Sequence, residues 1–297
     1  FLGKGIKLNT NVAISTNNVK GSLTHEKPNF NYTDNTLYTS VFNSVTDNLS
    51  DYGYKTSNLG FSFGTSFEQY DNLYFKPEIN TSFEKLETIS TASDAKKKQK
   101  GNYLDTYFTY SLNYDQTDKR YRPAAGYQSI FYQEIPVISE SNEIINSFET
   151  AKYNKISNIL TKISFYGKAV NTLNDRDVRI SKRLYIPERK LRGFESGKVG
   201  PIDESKDYVG GNYVSTVNFN AAFPGFLPSF ENTDISLFVD AANIWGVDYD
   251  SSIDKSNKIR SSTGLALDIF TPVGPLSFSL SKPITKSSSD KTENFRF

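Results

Sequence analysis

Apolar and polar residues alternate with a period of two along most of this chain, and polar or Gly/Pro-bearing turns interrupt the alternation. Near the start, Ile6, Leu8, Thr10, Val12 and Ile14 share one face while Lys7, Asn9, Asn11 and Ala13 take the other. Further on, Leu73, Phe75, Pro77, Ile79, Thr81 and Phe83 oppose Tyr74, Lys76, Glu78, Asn80 and Ser82. Towards the end, Ile259, Thr263, Leu265, Leu267 and Ile269 oppose Arg260, Ser262, Gly264, Ala266 and Asp268. Within these stretches charged groups fall on one parity, so each has an apolar face and a wet face. The pattern predicts fourteen strands, over 6–15, 19–27, 36–46, 54–67, 72–87, 102–114, 126–137, 147–157, 160–171, 212–223, 234–246, 258–270, 275–283 and 292–297.

Short turns (Thr271 to Pro275, Phe223 to Phe226) alternate with longer polar loops over 88–101, 172–211, 247–257 and 284–291. Short turns at one end and long loops at the other are the pattern of a bacterial outer-membrane barrel, whose short turns face the periplasm. The fold predicted is therefore all-β: a transmembrane antiparallel β-barrel with its apolar face outward and its polar face lining the lumen.

Composition sharpens that reading. Hydrophobic residues make up only 37% of the 297 positions, yet there are 22 Phe and 19 Tyr. A soluble β-sandwich of this size should bury more aliphatic side chains. In a barrel only alternate residues meet lipid, and aromatics ring the two interfaces, a role expected here of Trp245 and Phe270. No window approaches the ~20 apolar residues of a spanning helix. With 34 basic and 33 acidic residues the charge is nearly balanced, which points away from nucleic acid. There is no Cys and one His, His25, so thiolate sites and most metal or His-dependent catalytic sites are excluded. No catalytic residue, metal ligand or cofactor motif is identified; Ser196 lies one place late for a nucleophile elbow. Lys96, Lys97, Lys98 and Lys100 read as a solvated loop tip able to meet lipopolysaccharide phosphates. The start at Phe1, without Met or a leader, reads as the start of a piece of a longer protein, with residues 1–297 as one barrel domain.

The longest loop carries the most specific stretch, Lys190-Leu191-Arg192-Gly193-Phe194-Glu195-Ser196-Gly197-Lys198-Val199-Gly200-Pro201, followed by Gly210-Gly211-Asn212. An enclosed arginine cannot shed its charge and needs an acid in bidentate reach. Strand parity supplies one: Ile235, Leu237, Val239 and Trp245 face outward, so Asp240 faces inward with Ser236 and Phe238.

Four stretches together resemble the barrel of the BamA family of outer-membrane assembly factors. They are Phe1-Leu2-Gly3-Lys4-Gly5, Arg122-Pro123-Ala124-Ala125-Gly126, the Arg192-Gly193-Phe194 to Gly200-Pro201 stretch, and Phe238-Val239-Asp240-Ala241-Ala242-Asn243-Ile244-Trp245. The resemblance spans nearly the whole chain. It implies a sixteen-stranded barrel of which this chain starts at the third strand, with POTRA repeats and two strands upstream. It also implies a sixth loop folded into the lumen, where Arg192 pairs with Asp240. The position of the family's second acid falls on Asn220, which leaves one ion pair in place of a two-acid clamp. Phe295 and Phe297 would belong to the closing strand at the seam. By resemblance, the partners would be the lipid bilayer and lipopolysaccharide, unfolded outer-membrane clients, assembly lipoproteins and periplasmic chaperones, with no ATP or cofactor. A TamA-like or two-partner-secretion transporter of the same superfamily, or a passive porin, remains an alternative.

Overall fold

The computed structural model describes residues 5–15, 17–120, 122–226, 232–253, 258–271 and 274–297. Its framework is one antiparallel sheet of fourteen strands in chain order, without crossovers. The strands are β1 (Lys7–Ser15), β2 (Asn18–Lys27), β3 (Thr36–Asn48), β4 (Tyr54–Tyr70), β5 (Leu73–Thr88), β6 (Gly101–Asp115), β7 (Gly126–Ile138), β8 (Glu143–Ile156), β9 (Ile159–Thr172), β10 (Tyr213–Pro224), β11 (Thr233–Trp245), β12 (Arg260–Thr271), β13 (Gly274–Thr285) and β14 (Phe295–Arg296). Single helical turns α1 (Leu49–Tyr52) and α2 (Asp94–Lys97) sit in two of the connections.

Period-two patterning becomes two faces. On β4, Leu59, Phe61 and Phe63 are exposed on the outside while Gly60, Ser62 and Gly64 are buried within. On β12, Leu265 is 49% exposed and its neighbour Ala266 only 4%. This is the reverse of a soluble barrel and suits a hydrocarbon surround. The sheet is strongly curled. Arg122, in the turn after β6, reaches Asp234 on β11 (Nε to Oδ2, 3.1 Å) and lies 4.7 Å over the Phe270 ring of β12. Four intervening strands must arch to allow that contact. Among the described residues β1 and β14 are not paired with each other.

Several expectations need correction. Phe270 faces inward, under Arg122, because it shares the parity of Ala266 and Asp268; it is not a girdle residue. Trp245 does face outward and stacks on Tyr213 at 5.6 Å. Strand β8 starts at Glu143, ahead of 147, because Glu143 to Asn146 find partners on β9. The closing strand is shorter than 292–297: Thr292 pairs with Phe194 of the long loop instead of with β13. Lys96 is buried, not solvated, with its ammonium 2.7 Å from Asp203 and 2.6 Å from Asp207. The residues Phe1 to Lys4 of the first motif lie outside the described residues.

Candidate functional site: the loop inside the barrel

The connection between β9 and β10, residues 173–212, folds back into the lumen. Its apolar residues drive it there. Val178, Leu184, Ile186, Leu191, Phe194 and Val199 form one buried cluster with Ile145 of β8, Val170 of β9, Val214 of β10, and Ala242 and Ile244 of β11. The loop is thus a core for a wall whose own apolar face points outward.

Arg192 is set at the end of this packing. Its Nε lies 2.7 Å from Asp240 Oδ2, its Nη2 donates to Oδ1 at 2.8 Å, and its backbone amide donates to Oδ2 at 3.1 Å. Asp240 is fully buried, so the bidentate pair supplies the charge neutralisation that enclosure demands. The guanidinium also lies 3.5 Å over the Phe238 ring, on the same face of β11. Ser262 of β12 donates to the Arg192 carbonyl. Gly193 follows at φ +88°, where a Cβ would sit 3.1 Å from Ser281 Cβ and 3.3 Å from Ser262 Cβ. Gly200 (φ +115°) packs as closely: a Cβ there would come 2.8 Å from Ile244, and its amide donates to Asp290 at 3.1 Å. Pro201 accepts the Val209 amide at 3.1 Å.

The asparagine beside Asp240 is Asn218, not Asn220. Asn218 is directly opposite Asp240 in the β10–β11 ladder and donates to its Oδ1 at 2.8 Å and to the Lys190 carbonyl at 2.7 Å. Asn220 is one inward position further along, opposite Phe238, and its Oδ1 is buried without a hydrogen-bond partner. A two-residue slip keeps the face and changes the neighbour.

The segment leading into β14 is bonded to the loop. The Lys291 backbone amide donates to the Lys198 carbonyl at 3.0 Å, the Glu195 amide to the Lys291 carbonyl at 3.1 Å and the Glu293 amide to the Gly193 carbonyl at 3.2 Å. Arg296 of β14 reaches the Glu188 carbonyl at 2.6 Å. Phe295 and Phe297 are exposed, and their rings lie 6.5 and 4.9 Å from that of Phe278 on β13.

Sequence reasoning missed the other charged seats of the loop. Arg179, 2% exposed by its side chain, meets Glu84 of β5, Asp105 of β6 and Glu143 of β8. Arg183 pairs with Asp248 of the β11–β12 connection, which also accepts the Val178 amide at 2.8 Å and Asn212 at 3.1 Å. Burial pushes the Asp248 carboxyl up, but the Arg183 charge and these hydrogen bonds outweigh it and hold it below its ordinary value. Outside the loop, Arg260 of β12 pairs at 3.0 Å with Asp290, the carboxylate that accepts the Gly200 amide. One signal was available: parity turns Glu84 and Asp105 inward, and inward acids enclosed by a loop call for a cation. Among the described residues, no group of three or more His, Asp or Glu side chains is placed to hold a metal ion.

The Omp85 superfamily domain matches residues 1–297. Among curated proteins, the outer membrane protein assembly factor BamA of Neorickettsia risticii (strain Illinois) is 24% identical over 250 residues, 82% of this chain and 34% of that protein. The same-named protein of Neisseria meningitidis serogroup B is 30% identical over 135 residues, 36% of this chain and 17% of that protein. Among solved structures, BamA from Haemophilus ducreyi lacking POTRA domains 1-3 has a TM-score of 0.88 at 22% identity, covering 99% of this chain and 64% of that one. CdiB from Acinetobacter baumannii has a TM-score of 0.56 at 10% identity, covering 98% and 58%. The chain spans about a third or less of the curated relatives' length, and the structural likeness speaks for the fold. With the domain matched from first residue to last, and a sheet of the same barrel architecture, this chain belongs to the Omp85 superfamily.

Proposed function

We propose that residues 1–297 are a single transmembrane barrel domain of an outer-membrane protein assembly factor of the BamA type, seated in the outer membrane of a Gram-negative bacterium. The observation that carries this reading is the end-to-end match to the Omp85 domain. The curated relatives named above, all outer-membrane assembly factors, support it. The filled lumen argues in the same direction, because a passive porin needs an open one.

The work is done without covalent chemistry. Unpaired backbone N–H and C=O groups are costly in hydrocarbon, so an incoming strand gains free energy by pairing with an exposed sheet edge. The closing strand, with Phe295 and Phe297, is one side of that seam. Arg192 held by Asp240 keeps the loop in the lumen while the seam works. Clients are unfolded outer-membrane proteins; assembly lipoproteins, periplasmic chaperones, the bilayer and lipopolysaccharide are the surrounding partners.

The test is reconstitution of the full-length protein in proteoliposomes with an unfolded outer-membrane barrel as client, followed by heat-modifiable gel mobility. Folding faster than in protein-free liposomes is expected. Unaccelerated folding together with a steady open-pore conductance would overturn the reading in favour of a porin.

A further inference from the structure

We infer that Arg179 is a second positioning residue of the lumen loop, seating its first limb on a different part of the wall from Arg192 and independently of it. The loop is then a brace with two charged ends, one on β5, β6 and β8 and the other on β11.

The contacts are those of a built site. Arg179 Nη1 lies 3.2 Å from Glu84, and Nη2 lies 2.9 Å from Asp105 and 3.6 Å from Glu143. Nη2 also donates to Ser141 Oγ at 2.7 Å, and the backbone amide donates to Glu143 at 3.3 Å. The guanidinium lies 4.0 Å over the Tyr103 ring. The carboxylates take further donors from the wall, Tyr107 on Glu143 at 3.1 Å and Ser139 on Asp105 at 2.7 Å, so the acids are already oriented to receive the loop. Neighbouring loop residues follow the same seat: Ser181 donates to Glu84 at 2.8 Å and the Ile180 amide to Gln99 at 2.7 Å.

A planar fork can serve three acids from three strands at once; a lysine ammonium is a single point charge. The three acids are almost completely enclosed, so they reward a cation only if the loop brings one. The Arg192 seat uses Asp240, Asn218, Phe238 and Ser262 and shares no residue with the Arg179 seat. Sites without shared partners act additively, hence the independence.

The experiment uses spin-label distances in the full-length protein in lipid, helped by the absence of cysteine from this chain. One pair, Asp177→Cys with Leu104→Cys, reports the first limb against β6. The other, Arg189→Cys with Leu237→Cys, reports the second limb against β11. Arg179→Lys keeps the charge and so the fold; it should broaden the first distance distribution about two-fold and leave the second unchanged. Arg192→Lys should do the reverse. A first-limb distribution of native width in Arg179→Lys overturns the inference, and so does joint broadening of both distributions. Arg179→Met combined with Glu84→Gln, Asp105→Asn and Glu143→Gln removes the buried charge altogether, and a native-width first distribution there would also overturn it.

Discussion

At the scale of single residues, Arg192 and Asp240 make the sharpest claim. Arg192→Glu sets two carboxylates face to face inside the wall and should cost about 3–5 kcal/mol, the usual cost of breaking a buried pair. Adding Asp240→Arg should restore part of the loss, read as the heat-modifiable mobility of the folded barrel. No recovery would sink the pairing. Gly193→Ala is predicted to cost more than ~1 kcal/mol, since alanine is disfavoured at positive φ and its methyl would press on Ser281 and Ser262. The check is faster proteolysis of the loop with the strands still protected. Asp240 was legible in the sequence because parity alone turns it inward. Asn218 was not, because Asn218 and Asn220 share a face and only the β10–β11 register separates them. Arg179 was hidden for another reason. Its partners sit on three strands, and Glu84 is 95 positions away in the chain.

At the scale of elements, alternation made most strands readable, since a lipid-facing side chain at every second position leaves a period that turns cannot imitate. It failed where backbone pairing leaves the sheet. Thr292 and Glu293 look like the start of the closing strand but bond to the loop, so β14 begins only at Phe295. Strand facing is testable on β12: spin labels at Leu265 and Leu267 should collide with oxygen in the lipid, and a label at Ala266 with a water-soluble relaxant. The opposite parity would end the assignment. The Arg183–Asp248 connection adds a pH dependence. Asp248 titrates below its ordinary value of 3.8, so its contribution is complete above that value and is lost as pH falls through the lower, folded one. Amide exchange at Val178, whose N–H donates to Asp248, should therefore quicken in strong acid. Asp248→Asn should abolish that dependence.

At the scale of the whole molecule, the barrel carries its core on a loop, so the wall and the lumen are stabilised by the same residues. Phe194, only 1% exposed, is the largest apolar side chain of that plug. Phe194→Ala should cost about 3–5 kcal/mol if the cavity stays unfilled. It should also raise ionic conductance in a planar bilayer; a conductance equal to the parent's would mean that the loop does not plug the pore. The ion pair between Arg122 and Asp234 has a mechanical consequence. It fastens the turn after β6 to the start of β11 at one rim of the sheet, and the loop fastens β8 to β11 as well, with Arg179 on Glu143 at the start of β8 and Lys190 on Glu149 and Arg192 on Asp240 at mid-strand. Strands β7 to β10 are thus held at one rim and again by the loop, and behave as a stiff sector. Any widening of the barrel must be taken up by the flanks, where, among the described residues, β14 is tied to β13 through only Ser279 and Leu280 in the ladder.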